Sequence, residues 1–310
     1  MGAQVRSVGH YQPARVVTNE EISQRIDTND EWIRTRVGVQ TRHLAREDET
    51  IDEMGALAGQ DALRKAGLTA QDIDLVIVAT STPETPVPNV AASVAGRLGI
   101  SVGAFDVNTA CSGFSYGLAN AHHAIIAGTA QRVLLVGAER FSSWLDWNDR
   151  STAVIFGDAA GAAVVEASDT EGIGPVRWGS DGTKAGLIRI PDRHSSFMQE
   201  GQSVFRWATS EIAPIALQAC EAAGVKPDEL AAVVPHQANL RIIDAIARKL
   251  GADNAVIARD IVGSGNTSTA SIPMALSKML ERKEIPSGSP VLLIGFGAGL
   301  TYAGQVIRCP

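Results

Sequence analysis

Cys111 is the one cysteine of three whose surroundings suit a nucleophile. It follows the strand-like stretch Asp106-Val107-Asn108-Thr109-Ala110 and opens an Ala-rich helical pattern over 111–127. That places its sulfur at or near a helix N-terminus, where unpaired N–H groups and the partial positive charge of the helix favour a thiolate. Ala110, Ser112 and Gly113 are small enough to let a substrate approach. A small core residue has the same look, because free cysteines are commonly buried. Cys220 lies in an apolar helical stripe and reads as core, and Cys309, one residue from the C-terminus, reads as incidental. His236, in Val234-Pro235-His236-Gln237-Ala238-Asn239, follows a buried-strand pattern, the place where α/β proteins set their ligand groups. A satisfied structural histidine also fits there. Asn266 lies in Gly263-Ser264-Gly265-Asn266-Thr267-Ser268, a loop that permits close backbone approach, although an Asn before a helix is also an ordinary cap. Gly295-Phe296-Gly297-Ala298-Gly299-Leu300 follows another buried strand. Alternating glycines there can aim N–H groups at a substrate oxygen, and without a Lys-Ser/Thr ending the loop does not read as a nucleotide loop.

Short apolar runs at 75–79, 133–137, 162–165, 231–234 and 291–295 predict strands buried on both faces. Helical patterns fall at 51–66, 90–98, 111–127, 210–223, 240–250 and 271–282. Their alternation predicts an α/β fold. The chain also repeats itself. Ala66-Gly67-Leu68 through Ile77 aligns without gaps on Ala223-Gly224-Val225 through Val234, an offset of 223 − 66 = 157. Asn108-Thr109 aligns on Asn266-Thr267 and Val133-Leu134-Leu135-Val136-Gly137 on Val291-Leu292-Leu293-Ile294-Gly295, both at 266 − 108 = 158. Three blocks in register predict duplication: one half over 1–165, connecting loops over 166–204 and a second half over 205–310. The cleft between such halves is where a site built from both would lie. On this alignment Asn266 is the counterpart of Asn108, beside Cys111.

Composition bounds the function. With 45% hydrophobic and 20% charged residues the chain is not disordered. Three cysteines cannot make a disulfide scaffold. A net charge of −7 argues against general affinity for nucleic acid. No apolar run approaches the roughly 20 residues of a membrane span, and Met1 to Arg6 lacks an apolar signal core. The expectation is a soluble, cytoplasmic protein.

The four elements together resemble the thiolase superfamily, and within it the β-ketoacyl-acyl-carrier-protein synthase III family. The resemblance covers essentially the whole chain. It includes Asp30-Glu31-Trp32-Ile33, Asn108-Thr109-Ala110-Cys111-Ser112-Gly113-Phe114, Asp149-Arg150-Ser151-Thr152, Pro235-His236-Gln237-Ala238-Asn239, Gly265-Asn266-Thr267-Ser268 and Gly295-Phe296-Gly297-Ala298-Gly299. It implies a homodimer of duplicated five-layer αβαβα subunits. It also implies a Cys111–His236–Asn266 triad, with the N–H groups of Cys111 and Ala298 as an oxyanion hole. Cys111 would take the acyl group of a short acyl-CoA. His236 and Asn266 would stabilise the enolate formed when malonyl-acyl-carrier protein loses CO₂, and that enolate would attack the acyl-Cys. No metal or redox cofactor is implied; coenzyme A enters as a substrate thioester.

The resemblance further places Trp32 and Arg150 around the adenine of coenzyme A, with Thr28, Arg36, Gly201 and Asn239 along its tunnel. Arg206, Arg241, Arg248 and Lys249 match a basic patch that docks acidic carrier protein. Val87 falls where many relatives bring Phe or Thr from the partner subunit to the end of the acyl pocket. A smaller residue there would admit longer or branched primers, worth about 1 kcal/mol per methylene. The stretch 182–201 looks shorter than in many relatives, which bears on primer preference. Three rivals share these residues: a starter-unit ketosynthase of a polyketide pathway, an acyltransferase acting on hydroxyls or amines, and a non-catalytic acyl-CoA binding subunit. The intact Cys111, His236 and Asn266 favour condensation.

Overall fold

The computed structural model describes residues 2–310. Its first half runs β1 (Gly2–Tyr11), β2 (Val16–Thr18), α1 (Asn19–Ser23), α2 (Asp30–Arg36), β3 (Thr41–His43), α3 (Ile51–Ala66), β4 (Leu75–Ala79), α4 (Val90–Arg97), β5 (Gly103–Val107), α5 (Gly113–Ile126), β6 (Arg132–Glu139) and β7 (Ala159–Ser168). The rest runs β8 (Arg177–Ser180), β9 (Ile188–Arg189), β10 (Met198–Gln199), α6 (Gly201–Ala222), β11 (Ala232–Pro235), α7 (Leu240–Leu250), β12 (Val256–Ile257), α8 (Ile261–Ser264), α9 (Ser271–Glu281), β13 (Pro290–Gly297) and β14 (Thr301–Arg308).

Two five-stranded sheets share one plan. The first has the order β1-β7-β6-β4-β5 and the second β8-β14-β13-β11-β12. In each, three inner and outer strands run parallel (β6, β4, β5 and β13, β11, β12) and the other two pair antiparallel. The β4 residues Leu75 to Ala79 register with 133–137 of β6, and β11 registers with 291–294 of β13 in the same way. Helices α5 and α9 lie between the sheets. The α3 and α4 pair covers the outer face of the first sheet, and α6 and α7 cover the second. The result is the thiolase-like αβαβα arrangement.

The central layer forms because α5 and α9 are apolar on opposite sides. Phe114, Leu118 and Ile125 of α5 and Ile272 and Leu276 of α9 join Leu135 of one sheet and Leu293 of the other in a single core. Full burial of each such side chain stabilises by roughly 1.5–3 kcal/mol. This layer fixes the N-terminal ends of α5 and α9 beside each other, and the site lies there.

Local sequence explains the helix bounds. Thr50 caps α3 by accepting from the Glu53 N–H at 3.4 Å, and the helix ends at Gly67 in the left-handed conformation (φ 71°). Helix α6 begins at Gly201, nine residues before the periodicity from 210 suggests. The segment 166–204, read as loops, contains β8, β9 and β10, and β8 closes the second sheet against β14. No helix among the described residues is long and apolar enough to cross a membrane.

Candidate active site

Two loops of matching geometry meet at the site. In Asn108-Thr109-Ala110 and Asn266-Thr267-Ser268 the third residue has φ 48°. The Asn side chain accepts from the N–H two residues on, at 3.3 Å for Ala110 and 2.8 Å for Ser268. Each loop passes through a short 3-10 turn (Ala110–Ser112 and Ser268–Ala270) into α5 or α9.

Cys111 lies in the first of these turns and reaches the cavity. Gly297 backs it closely: a Cβ at that position would lie 2.7 Å from the Cys111 nitrogen and 2.9 Å from its Cβ. Gly297→Ala must therefore push the nucleophile aside. We expect acyl transfer to Cys111 to slow about 10²-fold, the cost of an ångström-scale misplacement, with the far-UV spectrum unchanged. A time course of the acyl-adduct mass checks this.

Burial pushes the Cys111 thiol up to about 12, with the Ser268 hydroxyl opposing and the Glu139 charge reinforcing the shift. Burial of the sulfur thus works against the thiolate that a helix N-terminus favours, and α5 itself begins two residues later, at Gly113.

His236 follows β11, with its N–H donating to the Ile294 carbonyl at 2.8 Å. Its Nδ1 lies 2.7 Å from Ser271 Oγ, at the first residue of α9. Ser271 Oγ also accepts from the Gln237 N–H at 3.3 Å, and its own proton can go to Nδ1, the arrangement that leaves the imidazole proton on Nε2 at the ring's free end. Burial lowers the histidine pKa to about 3, so the ring is a neutral donor at any working pH. Phe296 holds it edge-to-face at 5.3 Å.

Asn266 is clamped by its backbone: its N–H donates to the Ile155 carbonyl at 2.9 Å and its carbonyl accepts from the Gly157 N–H at 3.1 Å. With Oδ1 committed to Ser268, the Nδ2 donor is left for the cavity, which Asn266 lines. Two neutral donors of different chemistry, and a sulfur beside them, can hold one substrate oxygen while a carbon is attacked.

The cavity measures about 840 Å³. Cys111, buried His236 and buried Asn266 form its inner end. Towards the exposed mouth the Arg150 guanidinium lies 5.0 Å over the Trp32 ring, and Arg36, Gly201 and Asn239 line the wall. Arg206 and Arg241 line it as well, Arg241 stacked 5.0 Å over Phe205.

Five expected residues are not on this wall. Thr28 sits in the turn before α2 with its hydroxyl oxygen buried. Ala298 follows Gly297, which does line the cavity. Arg248 and Lys249 are in the last turn of α7, where Lys249 Nζ donates to the Thr209 carbonyl at 2.7 Å. Val87 is 77% exposed and does not line this chain's own pocket. Cys220 and Cys309 are buried and free.

Sequence reasoning missed Ser268, Ser271 and Glu139. Ser268 Oγ is 3.3 Å from Cys111 Sγ and 3.0 Å from Glu139 Oε1. The signal that could have found Ser268 was the repeat, which pairs it with Ala110, the residue before Cys111. The one His/Asp/Glu group among the described residues with metal-ligand spacing is His10–Asp61–Glu281. Lys65 Nζ sits 2.7 Å from both of its carboxylates, in the place a cation would take.

The chain matches the family model for 3-oxoacyl-[acyl-carrier-protein] synthase III over residues 105–182, and that family's C-terminal model over 220–309. It is 57% identical to a Streptomyces avermitilis protein described as β-ketoacyl-[acyl-carrier-protein] synthase III 2, across 100% of this chain and 99% of that one. Among solved structures it superposes on the priming β-ketosynthase of the R1128 polyketide pathway with a TM-score of 0.96 at 42% identity, covering 100% of this chain and 96% of that one. It superposes on 3-oxoacyl-[acyl-carrier-protein] synthase III from Aquifex aeolicus with a TM-score of 0.95 at 39% identity, covering 99% and 100%.

Proposed function

We propose a mechanism on one premise: the chain belongs to the 3-oxoacyl-[acyl-carrier-protein] synthase III family. It is an acyltransferase that performs the initiating, decarboxylative condensation of type II fatty acid synthesis, joining an acyl-CoA primer to malonyl-acyl-carrier protein. In our reading Cys111 attacks the primer thioester and holds the acyl group, while the N–H groups of Cys111 and Ala298 bind the oxyanion. Coenzyme A leaves. Malonyl-carrier protein enters, and the Nε2–H of His236 and the Nδ2–H of Asn266 donate to its thioester oxygen. The electron pair released with CO₂ moves onto that oxygen, and the enolate carbon attacks the acyl-Cys111 carbonyl. The observation that carries this reading is the convergence of buried His236 and Asn266 on the cavity that Cys111 lines: two donors beside a sulfur suit a developing oxyanion, and burial favours the uncharged imidazole. No step needs a metal or redox group.

In the same reading Trp32 and Arg150 sandwich the adenine, and Arg36, Gly201 and Asn239 line the pantetheine path. Planar guanidinium and indole faces favour such stacking. Arg206 and Arg241 receive the carrier protein at the mouth, with Arg248 and Lys249 extending the basic face along α7. The expected halves, 1–165 and 205–310, are shifted at their junction: β7 carries the first sheet to Ser168, and β8, the counterpart of β1, opens the second at Arg177, so the second half begins before 205. The protein acts as a homodimer. Strand β5 is an unpaired sheet edge carrying Phe105 at 39% exposure, and Val87 projects from the same half. Edge pairing of two β5 strands would cover both, and Val87 would then reach the partner's acyl pocket.

A panel of acyl-CoA primers tests the whole reading, scored by Cys111 adduct mass and by CO₂ release from malonyl-carrier protein. Adduct with CO₂ release supports condensation. Adduct and acyl-CoA turnover without CO₂ would mean acyl transfer to a hydroxyl or amine. The likeness to the R1128 priming ketosynthase gives the starter-unit role its footing; strong preference for a primer that fatty acid synthesis does not use would favour it.

A further inference from the structure

Glu139 ends β6, is fully buried in a polar cage, and among the described residues no cation lies against it. Its Oε2 accepts from Thr82 Oγ1 at 2.5 Å and lies 3.3 Å from Thr80 Oγ1, and the Ser81 N–H bridges both oxygens at 3.1 Å. Oε1 faces Ser268 Oγ at 3.0 Å and Thr269 Oγ1 at 3.1 Å. Thr269 can instead donate to the Ala79 carbonyl at 2.9 Å. Cys111, across Ser268, is the titratable group that feels the Glu139 charge. A carboxyl buried without a cationic partner is costly, and such groups concentrate at functional sites.

The duplication explains its position. Offset by 158 positions, Thr269 is the counterpart of Cys111 and Gly297 the counterpart of Glu139. Gly297 presses on Cys111; Glu139 stands against Thr269 in the same relation. The second half thus keeps a polar copy of the nucleophile's niche, and Ser268 joins the copy to the original.

Resting on the condensing reading above, we infer that Ser268 and Glu139 take the Cys111 thiol proton during acyl transfer and return it when the acyl group leaves. Ser268 has one hydroxyl proton between two acceptors, so it can donate to Glu139 while accepting from the thiol, or donate to sulfur while accepting from a protonated Glu139. In the first half-reaction the S–H bond breaks and the S–C bond to the primer carbonyl forms. The thiol proton passes to Ser268 as the serine proton passes to Glu139. The carbonyl pair moves onto oxygen, then returns as the coenzyme A sulfur leaves with its bonding pair and takes a proton from solvent. In the second half-reaction the enolate carbon bonds to the acyl carbon and Cys111 sulfur leaves with the electron pair. Glu139 gives its proton back through Ser268, restoring the thiol. Ser268 touches the reacting sulfur and is a catalytic residue; Glu139 acts through it. Burial raises the Glu139 pKa above the ordinary carboxylate range, which suits a group that must hold a proton while Cys111 is acylated.

The test measures acylation rate against pH, by adduct mass, and CO₂ release from malonyl-carrier protein for wild type, Glu139→Gln and Ser268→Ala. Wild-type acylation rises as Glu139 ionises and then levels. In Glu139→Gln the ratio of acylation to CO₂ release falls about 10²-fold, the usual contribution of a general base. Without an internal base the log rate then climbs linearly with pH and shows no plateau. Ser268→Ala gives the same profile, and the double variant is no slower than either. If Glu139→Gln does not fold, Ser268→Ala and its pH profile decide alone. A wild-type rate with its plateau in the folded variants, or equal loss of both half-reactions, overturns the inference. Absence of any adduct on wild-type Cys111 would overturn the condensing reading first.

Discussion

Cys111→Ala is expected to leave the fold intact and to abolish acyl-enzyme formation. The substitution removes one sulfur from a partly exposed side chain in a turn of small residues, so the cost in stability is about 1 kcal/mol. The hydrogen bonds that hold the turn are those of Thr109 and Ser112, and the variant retains them. Cys220 and Cys309 are buried and cannot substitute. The expected loss of condensation is on the order of 10⁶-fold, as when other covalent nucleophiles are removed. CO₂ release from malonyl-carrier protein continues, because His236 and Asn266 remain. Intact-mass spectrometry after incubation with acyl-CoA, alongside a CO₂ assay, checks both halves. A persistent adduct on the variant would remove Cys111 from the mechanism.

The second large effect is the opposite split. Asn266→Asp is expected to cut decarboxylation about 10³-fold and acyl transfer less than tenfold. The retained oxygen still accepts from the Ser268 N–H, so the loop keeps its turn. The amide that faced the cavity becomes a carboxylate oxygen about 3 Å from where the enolate charge forms. Two like charges at that distance repel by several kcal/mol even at an effective dielectric near 20, and a donor worth 10²–10³ is lost as well. In the proposed mechanism the first half-reaction relies on the N–H groups of Cys111 and Ala298, not on Asn266, and is spared. Equal loss in both half-reactions would show that Asn266 serves the loop and not the enolate.

Much of this site was legible because each half writes the same unit. The run 75–79 became β4, the pattern over 51–66 became α3, and the alignment of Asn108 on Asn266 foretold two turns of one geometry. What stayed hidden has physical causes. In strand β1 the alternation Ala3-Gln4-Val5-Arg6 lasts only four residues before a bulge shifts the register between Val5 and Ser7, and Ser7 and Gly9 follow. A Cβ on Gly9 would lie 2.3 Å from the Ala62 nitrogen of α3, so close helix packing selects a residue that reads as a turn. Strand β14 is similarly masked by Thr301, Gly304 and Gln305. Ser268, Ser271 and Glu139 escaped because their roles lie in partners distant along the chain: Ser271 acts through His236, 35 residues away, and Glu139 through Ser268, 129 away. A helix-capping Ser and a strand-ending Glu carry no mark of those partners.

The arginines around the cavity mouth bear on conditions far from the chemistry. Arg36, Arg150, Arg206 and Arg241 gather at one opening of a chain whose net charge is −7. Such a local field draws phosphate-bearing and acidic substrates against the overall repulsion, and at physiological ionic strength it fades over about 8 Å. The hydrogen bonds of His236 and Asn266 lie inside, where mobile ions do not screen them. Added salt should therefore lower kcat/KM for both substrates while kcat holds, so that ionic strength governs how often the enzyme begins a chain and not how fast it joins one.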